Sequence, residues 1–272
     1  MSADQKHAYV TVLTTGDNYL DGVLVLGKSL DASGSTKDRL VLCTSDVSES
    51  ARQRLRDRGW KVTEVEPIAN PSPENVLYPR FANVFTKLRV WQVPGYDRLV
   101  YLDADTLILK NVDDLFERHT FAAGPDFFLP DRFNSGVMVL DPSEKTFASM
   151  MDRLASVGSY DGGDQGFLNI YFENWYGMDV NHRLPVGYNM ANFIYQFMHG
   201  NPSLKLALEK EAKIIHYMVQ KPWMAKTTLT GGAQAWWQTY FELYPEKAHS
   251  WADKIHAFED WTFDHLCSLM LS

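Results

Sequence analysis

With 272 residues, 45% hydrophobic and 22% charged, the chain can bury the core of one large α/β domain, and its composition excludes a disordered or fibrous protein. Lys plus Arg number 26 against 34 Asp plus Glu, a net charge of -8, and no basic run appears, which argues against an extended nucleic-acid surface while leaving room for a small basic pocket. The polar amino terminus lacks an apolar signal core, no apolar stretch is long enough to span a bilayer, and the two cysteines, Cys43 and Cys267, read as free thiols, so the expected location is the cytoplasm, with no membrane contact.

In chain order, A-Y-V-T-V-L reads as a buried strand and T-T-G-D-N-Y as the loop after it. A helix follows, with Leu20, Val23, Leu24 and Leu30 at three- and four-residue spacings. R-L-V-L-C-T is a second strand, Ser48 to Asp57 a polar helix with Ser48 as N-cap, and Lys61 to Val65 a third strand. This alternation predicts a parallel, doubly wound sheet at the amino end. The prolines of P-I-A-N-P-S-P-E-N-V make a loop, Val84 to Gln92 a helix, and R-L-V-Y-L-D-A-D a strand whose end carries two aspartates. N-S-G-V-M-V-L-D-P reads as a strand, Phe147 to Val157 as a helix, and the glycine-rich S-Y-D-G-G-D-Q-G as a loop before a helix from Phe167. K-I-I-H-Y is a last strand, K-P-W a turn, and the remainder helical. No repeat or linker divides the chain. The expectation is one domain over 1–272, with 1–110 as a nucleotide-binding half and 111–272 as an acceptor half that completes the site.

Asp103 and Asp105 end an apolar strand, and in open α/β sheets the ligand crevice lies at the carboxyl ends of the strands. Two carboxylates there suit Mg²⁺ or Mn²⁺ on a diphosphate, and residues i and i+2 point the same way if the strand continues. A solvated turn is the bland alternative. The same Asp-x-Asp-x-Thr string also fits the first motif of haloacid-dehalogenase phosphatases, with Asp103 as nucleophile and Asp105 as general acid. The hundred residues of α/β structure before it, and the lack of an apolar strand before Asp161 and Asp164, weigh against that reading.

Seven strings in order carry a wider resemblance: V-L-T-T, G-x-L-V-L-G-x-S-L, T-K-L-x-x-W, D-A-D-T-L-x-L-x-N-x-D-D-L-F-E-R, F-N-S-G-V, S-x-D-G-G-D-Q-G-x-L-N and H-Y-M-V-Q-K-P-W. By them the chain resembles glycosyltransferase family 8, and within it the glycogenin-like subgroup. The resemblance implies a GT-A fold, a Rossmann-like mixed sheet flanked by helices. It also implies transfer of a hexose from a UDP-sugar with retention, using Mn²⁺ (or Mg²⁺) held by Asp103, Asp105 and His216. Leu13, Thr14, Thr15 and Tyr19 match positions that hold uridine, and Lys221 one that meets the diphosphate. Arg80, Lys87, Ala104, Asn134, Ser135 and Asp161 match donor contacts, and Asp164 and Gln165 lie near the anomeric carbon, so Asp164, Gln165 and Lys87 are the expected catalytic set. Taken alone, each also has an ordinary reading: Tyr19 as packing, Lys87 as a solvated helix charge, His216 as a core histidine, Asp161 as a turn residue.

Three departures from the glycogenins bear on the acceptor. Val219 stands at the glycine of His-x-x-Gly-x-x-Lys-Pro-Trp, with the spacing one residue shorter, and Gly16 replaces an asparagine beside the nucleotide. The self-glucosylated tyrosine of that subgroup follows a Tyr-Asn pair; here the nearby Tyr195 has different neighbours. The sequence given ends at Ser272, without the terminal synthase-binding segment. The expectation is therefore an enzyme acting on a separate glycan or glycoprotein acceptor, like short protist relatives that extend a glycan on a ubiquitin-ligase adaptor, with a self-glucosylating primer as the alternative and a UDP-sugar-binding sensor as a minor one. A homodimer is expected, with the Trp236, Trp237 and Phe241 cluster serving either as its interface or as core.

Overall fold

The structure is a computed structural model that describes residues 5–14, 16–71, 82–218, 220–224 and 231–248. The amino-terminal half is built as β1 (His7–Leu13), α1 (Leu20–Ala32), β2 (Asp38–Cys43), α2 (Glu49–Asp57), β3 (Lys61–Glu64) and β4 (Arg98–Leu102). After it come β5 (Thr106–Ile108), β6 (Ala122–Pro125), β7 (Phe133–Leu140), α3 (Glu144–Val157), α4 (Asp164–Tyr171), β8 (Met190–Ala191), α5 (Asn192–His199), α6 (Pro202–Glu211), β9 (Ile214–His216), α7 (Gly231–Leu243) and α8 (Pro245–Ala248).

The main sheet runs β3-β2-β1-β4-β7-β6. Its first four strands are parallel, and β7 and β6 add antiparallel partners, so the sheet is mixed. The chain leaves β1 toward β2 and β3, then returns to lay β4 on the opposite side. The crevice between the carboxyl ends of β1 and β4 is thus a topological switch point, where ligands bind in such sheets. A second, three-stranded sheet, β5-β9-β8, pairs residues far apart in sequence and puts His216 opposite Thr106.

Strand periodicity divides the core into two layers. Tyr9, Leu13, Val100 and Leu102 face α1, α7 and the small sheet. Ala8, Val10, Leu99 and Tyr101 face Phe85, Leu88 and Trp91 with the apolar sides of α3 and α4. Each fully buried leucine or phenylalanine contributes about 2 kcal/mol of transfer free energy, before the entropy of ordering it. α1 is buried almost all round because it lies between the sheet and α7. The G-x-L-V-L-G-x-S-L string records that sandwiching. A Cβ on Gly22 would lie 2.5 Å from the Ala104 carbonyl oxygen and 2.7 Å from the Trp223 ring, so only glycine lets the helix touch the Asp-Ala-Asp turn. Ser29 donates to the Leu26 carbonyl and accepts the Ile108 N–H, tying α1 to β5.

The predicted elements stand with shifted ends. Ser48 caps α2, accepting the Ala51 N–H at 3.1 Å. α3 begins at Glu144, one turn before the apolar pattern, because Ser143 accepts the Thr146 N–H. α4 begins at Asp164, so the Asp-Gln-Gly of the glycine-rich string forms a helical first turn instead of a loop. Residues Val84–Gln92 form a 3-10 helix. The Trp236 and Trp237 side chains are buried in the core with Phe241 packed against it, which removes this cluster as a dimer face.

Candidate active site

β4 stops at Leu102, so the two aspartates do not share a strand face as the spacing suggested. They sit on a turn in which the Asp103 carbonyl accepts both the Thr106 N–H, at 3.1 Å, and its hydroxyl, at 2.8 Å. The turn still aims both carboxylates inward, and the second sheet brings His216 across to them. Its Nε2 lies 3.3 Å from Asp105 Oδ1 and 3.7 Å from Asp103 Oδ2, and the three ligating atoms lie within 4.8 Å of one another. Two hard carboxylate oxygens and one borderline nitrogen suit a divalent ion, so the donor set fits the kind of metal that the fold implies.

Cations neutralise this acidic floor. Lys87 is no solvated helix charge: its side chain is buried, with Nζ 2.6 Å from Asp164 Oδ2, 3.1 Å from Asp103 Oδ1 and 3.2 Å from Ser135 Oγ, above the Tyr101 ring. Burial works to lower its pKa, but Asp103 and Asp164 outweigh burial and hold the ammonium above its ordinary range. Asp164 shows the opposite balance. Burial raises its carboxyl, and the pull of Lys87 does not cancel that rise. Lys221 rests on Asp105 Oδ2 and on the Tyr217 and Met218 carbonyls. Burial pushes Asp105 up, yet Lys221 and His216 reverse this and hold its carboxyl well below the usual range. The Tyr101 hydroxyl, raised by burial and by Asp103, donates to Asp103 Oδ1.

These groups line a cleft of about 280 Å³. Leu13, Thr14, Tyr19, Lys87, Asp103, Ala104, Asp105, Asn134, Ser135, Asp161, Asp164, Gln165, His216 and Lys221 all border it. Of the expected site residues, Thr15 and Arg80 lie outside the described residues, as do Val219 and Cys267. Asp161 borders the cleft, and its Oδ1 staples the loop as a turn residue by accepting from Ser159, Gly163 and Gly166. Asn134 accepts from Gly136 and Asn189, which fills its carbonyl, and its NH₂ donates to Gln165. The tryptophan of K-P-W packs beside the β1 side of the cleft: Trp223 Nε1 donates to the Asn18 carbonyl, and the ring packs edge-on to Tyr19.

Sequence reasoning passed over Tyr101, Asp126 and Asn189. Tyr101 read only as an apolar strand residue, and the others needed long-range contacts to be seen. Tyr195, by contrast, is half-buried between two apolar clusters, stacks on His199 and does not border the cleft; burial raises its hydroxyl.

The model of glycosyl transferase family 8 matches residues 10–227. The chain belongs to glycosyl transferase family 8. Membership removes the phosphatase reading of Asp103. The chain is 40% identical to mouse glycogenin-1 over 221 residues, 79% of this chain and 65% of that protein. It is 46% identical to inositol phosphorylceramide glucuronosyltransferase 1 of Arabidopsis thaliana over 175 residues, 64% of this chain and 32% of that one. The chain thus spans less than two thirds of either relative. Its GT-A fold is shared with galactosyltransferase LgtC, solved in complex with donor and acceptor sugar analogs, at a TM-score of 0.63 and 19% identity, covering 86% of this chain and 95% of that one. Among the described residues no helix is long and apolar enough to cross a membrane.

Proposed function

We propose that this glycosyltransferase moves glucose or galactose from a UDP-sugar to a separate glycan or glycoprotein acceptor, with retention of configuration and dependence on Mn²⁺. The observation that carries the reading is the convergence of Asp103, Asp105 and His216 at the switch point of a family 8 chain. When bound there, a divalent ion supplies charge neutralisation for the departing diphosphate. Lys221, beside Asp105, adds a second positive charge on that side. Leu13, Thr14 and Tyr19 border the cleft at the end of β1, where the uridine would lie.

The donor sugar would then sit over Asp161, Asp164, Gln165, Asn134 and Ser135. Among the described residues bordering the cleft, the lysines are Lys87 and Lys221, and both already face carboxylates. An anionic glucuronate would meet Asp161 and Asp164 there, so a neutral hexose is favoured although glucuronosyltransferases are among the relatives. Asp164 Oδ2 is tied to Lys87 and Ser135, which blunts it as a nucleophile and favours front-face attack. The bond from the anomeric carbon to the β-phosphate oxygen breaks, one to the acceptor oxygen forms on the same face, and the acceptor proton passes to the leaving phosphate.

The half-buried Tyr195 supports a separate acceptor over a self-glucosylating primer. Purified protein incubated with Mn²⁺ and UDP-glucose, UDP-galactose or UDP-glucuronate tests all of this. A neutral donor should release UDP fastest, excess chelator should stop it, and the intact protein mass should stay constant. Undiminished hydrolysis in chelator would refute the metal, a preference for UDP-glucuronate the donor, and a ladder of added hexose lost in Tyr195→Phe the separate acceptor. A cytoplasmic homodimer follows from the family likeness alone; light scattering returning a monomer mass at high concentration would overturn it.

A further inference from the structure

The imidazole of His216 is held from behind by a one-way chain of side-chain amides. Its Nδ1 lies 2.9 Å from Asn189 Oδ1; Asn189 Nδ2 donates to Asn134 Oδ1 at 2.8 Å; Asn134 Nδ2 donates to Gln165 Oε1 at 2.8 Å; and Gln165 Nε2 donates to Asp126 Oδ2 at 3.1 Å. Amide oxygen and nitrogen look alike by shape, so the direction of such a chain must come from groups with fixed roles. Three fix it here. The Asp126 carboxylate only accepts, so Gln165 turns its NH₂ toward it. The Ser135 N–H, 3.3 Å from Gln165 Oε1, and the Gly136 N–H, 3.0 Å from Asn134 Oδ1, only donate, so both of those atoms are oxygens. Asn189 must then offer NH₂ to Asn134 and its own oxygen to His216. An oxygen at that position requires a hydrogen on Nδ1, so that the neutral imidazole presents the lone pair of Nε2 to Asp103 and Asp105.

Steric fit leaves the ring no second seat. A Cβ on Gly136 would lie 2.2 Å from His216 Cε1 and 2.6 Å from Nδ1, so the imidazole lies flat against a glycine that F-N-S-G-V supplies. His216, Asn189 and Asn134 are 3%, 5% and 8% exposed, and a buried amide that lost its partners would carry the full cost of desolvation.

We infer that Asn189 is the positioning residue of the metal-facing imidazole, its orientation imposed from Asp126 through Gln165 and Asn134. The inference rests on the divalent-metal reading above. It also links the two sides of the cleft, because the amides expected to touch the donor sugar, Asn134 and Gln165, set the direction in which His216 points.

Calorimetric titration of the whole purified chain with Mn²⁺ alone tests it. Asn189→Leu keeps the bulk and removes both hydrogen bonds; its affinity should fall about 10–100-fold. Asn189→Asp keeps an acceptor for Nδ1–H while facing the Asn134 oxygen without a hydrogen, so it should lower the melting temperature but hold Mn²⁺ within a few-fold of wild type. Equal losses in the two variants, or a folded Asn189→Leu chain that binds as wild type, would overturn the inference. No binding to wild type would refute the metal reading instead. Should Asn189→Leu not fold, nitrogen-15 spectra of the wild-type histidines with diamagnetic Zn²⁺ decide: hydrogen on Nδ1 of His216 supports the chain, hydrogen on Nε2 ends it.

Discussion

The two halves of the molecule reach the same cleft by different means. In the first, β1, β2 and β4 pair in parallel, and cleft residues follow two of these strands directly, as Thr14 follows β1 and Asp103 follows β4. In the second, the metal-facing imidazole stands on a three-residue strand that exists only because β5 and β8 flank it. The first half carries its function on local structure; the second carries it on register. Damage to packing should therefore stay silent at the site in the first half and be felt there in the second.

The largest effect expected is from Asp103→Asn, which keeps the shape of the turn and removes one ligand charge. UDP-sugar hydrolysis should fall about 10³-fold with the melting curve little changed. Lys87→Met comes next, because it leaves Asp103 and Asp164 facing each other in a buried site; urea unfolding should show a loss of about 3–5 kcal/mol. The direct contrast is Leu42→Ala in β2 against Ile215→Ala in β9, both fully buried. Each should cost about 2–5 kcal/mol, but only Ile215→Ala should also weaken Mn²⁺ binding. Equal effects on the metal would erase the distinction between the halves.

The smallest effect concerns a cluster within the second half, which fastens the approach to β9 to the segment after β5. Asp114 accepts from Tyr188 and, at 2.9 Å, from Lys213 just before β9. Burial is the largest single influence and raises its carboxyl, but Tyr188 and Lys213 together outweigh it, and its folded pKa lies below the ordinary value. The stabilisation is present above the unfolded carboxyl pKa of about 3.9 and is lost as pH falls through the folded one. Asp114→Asn should lower the melting temperature by about 2 °C at pH 7 and make no difference once the carboxyl is protonated in both states. A gap that persists in acid would assign the effect to packing.

The same contrast explains what the sequence made legible. Parallel strands, the Ser48 cap and the Asp-Ala-Asp turn are local patterns, and each appears where its residues place it. His216, Lys221, Asp161 and the Asn134–Ser135 pair were recognised through the resemblance; a histidine after Ile-Ile has no local mark of a ligand. Asn189 was visible only as half of a Tyr-Asn pair, because its role depends on Asn134 and Gly136, more than fifty residues earlier. The aromatic cluster of α7 could not be sorted into interface or core by composition, since both settings use tryptophan alike; its packing on α1 decides for the core.

The Lys221–Asp105 contact bridges 116 residues, and its consequence concerns the order of synthesis. A ribosome delivers β1 to β4 long before β9, and domains fold largely from the amino end as they emerge. The acidic turn after β4 is then finished, with Lys87 beside it, while the His216 imidazole and Lys221 are still untranslated. A chain stalled before residue 213 would hold the β1 and β4 side of the cleft without the imidazole or the second lysine. The cleft is thus complete only when nearly all of the described fold has left the ribosome.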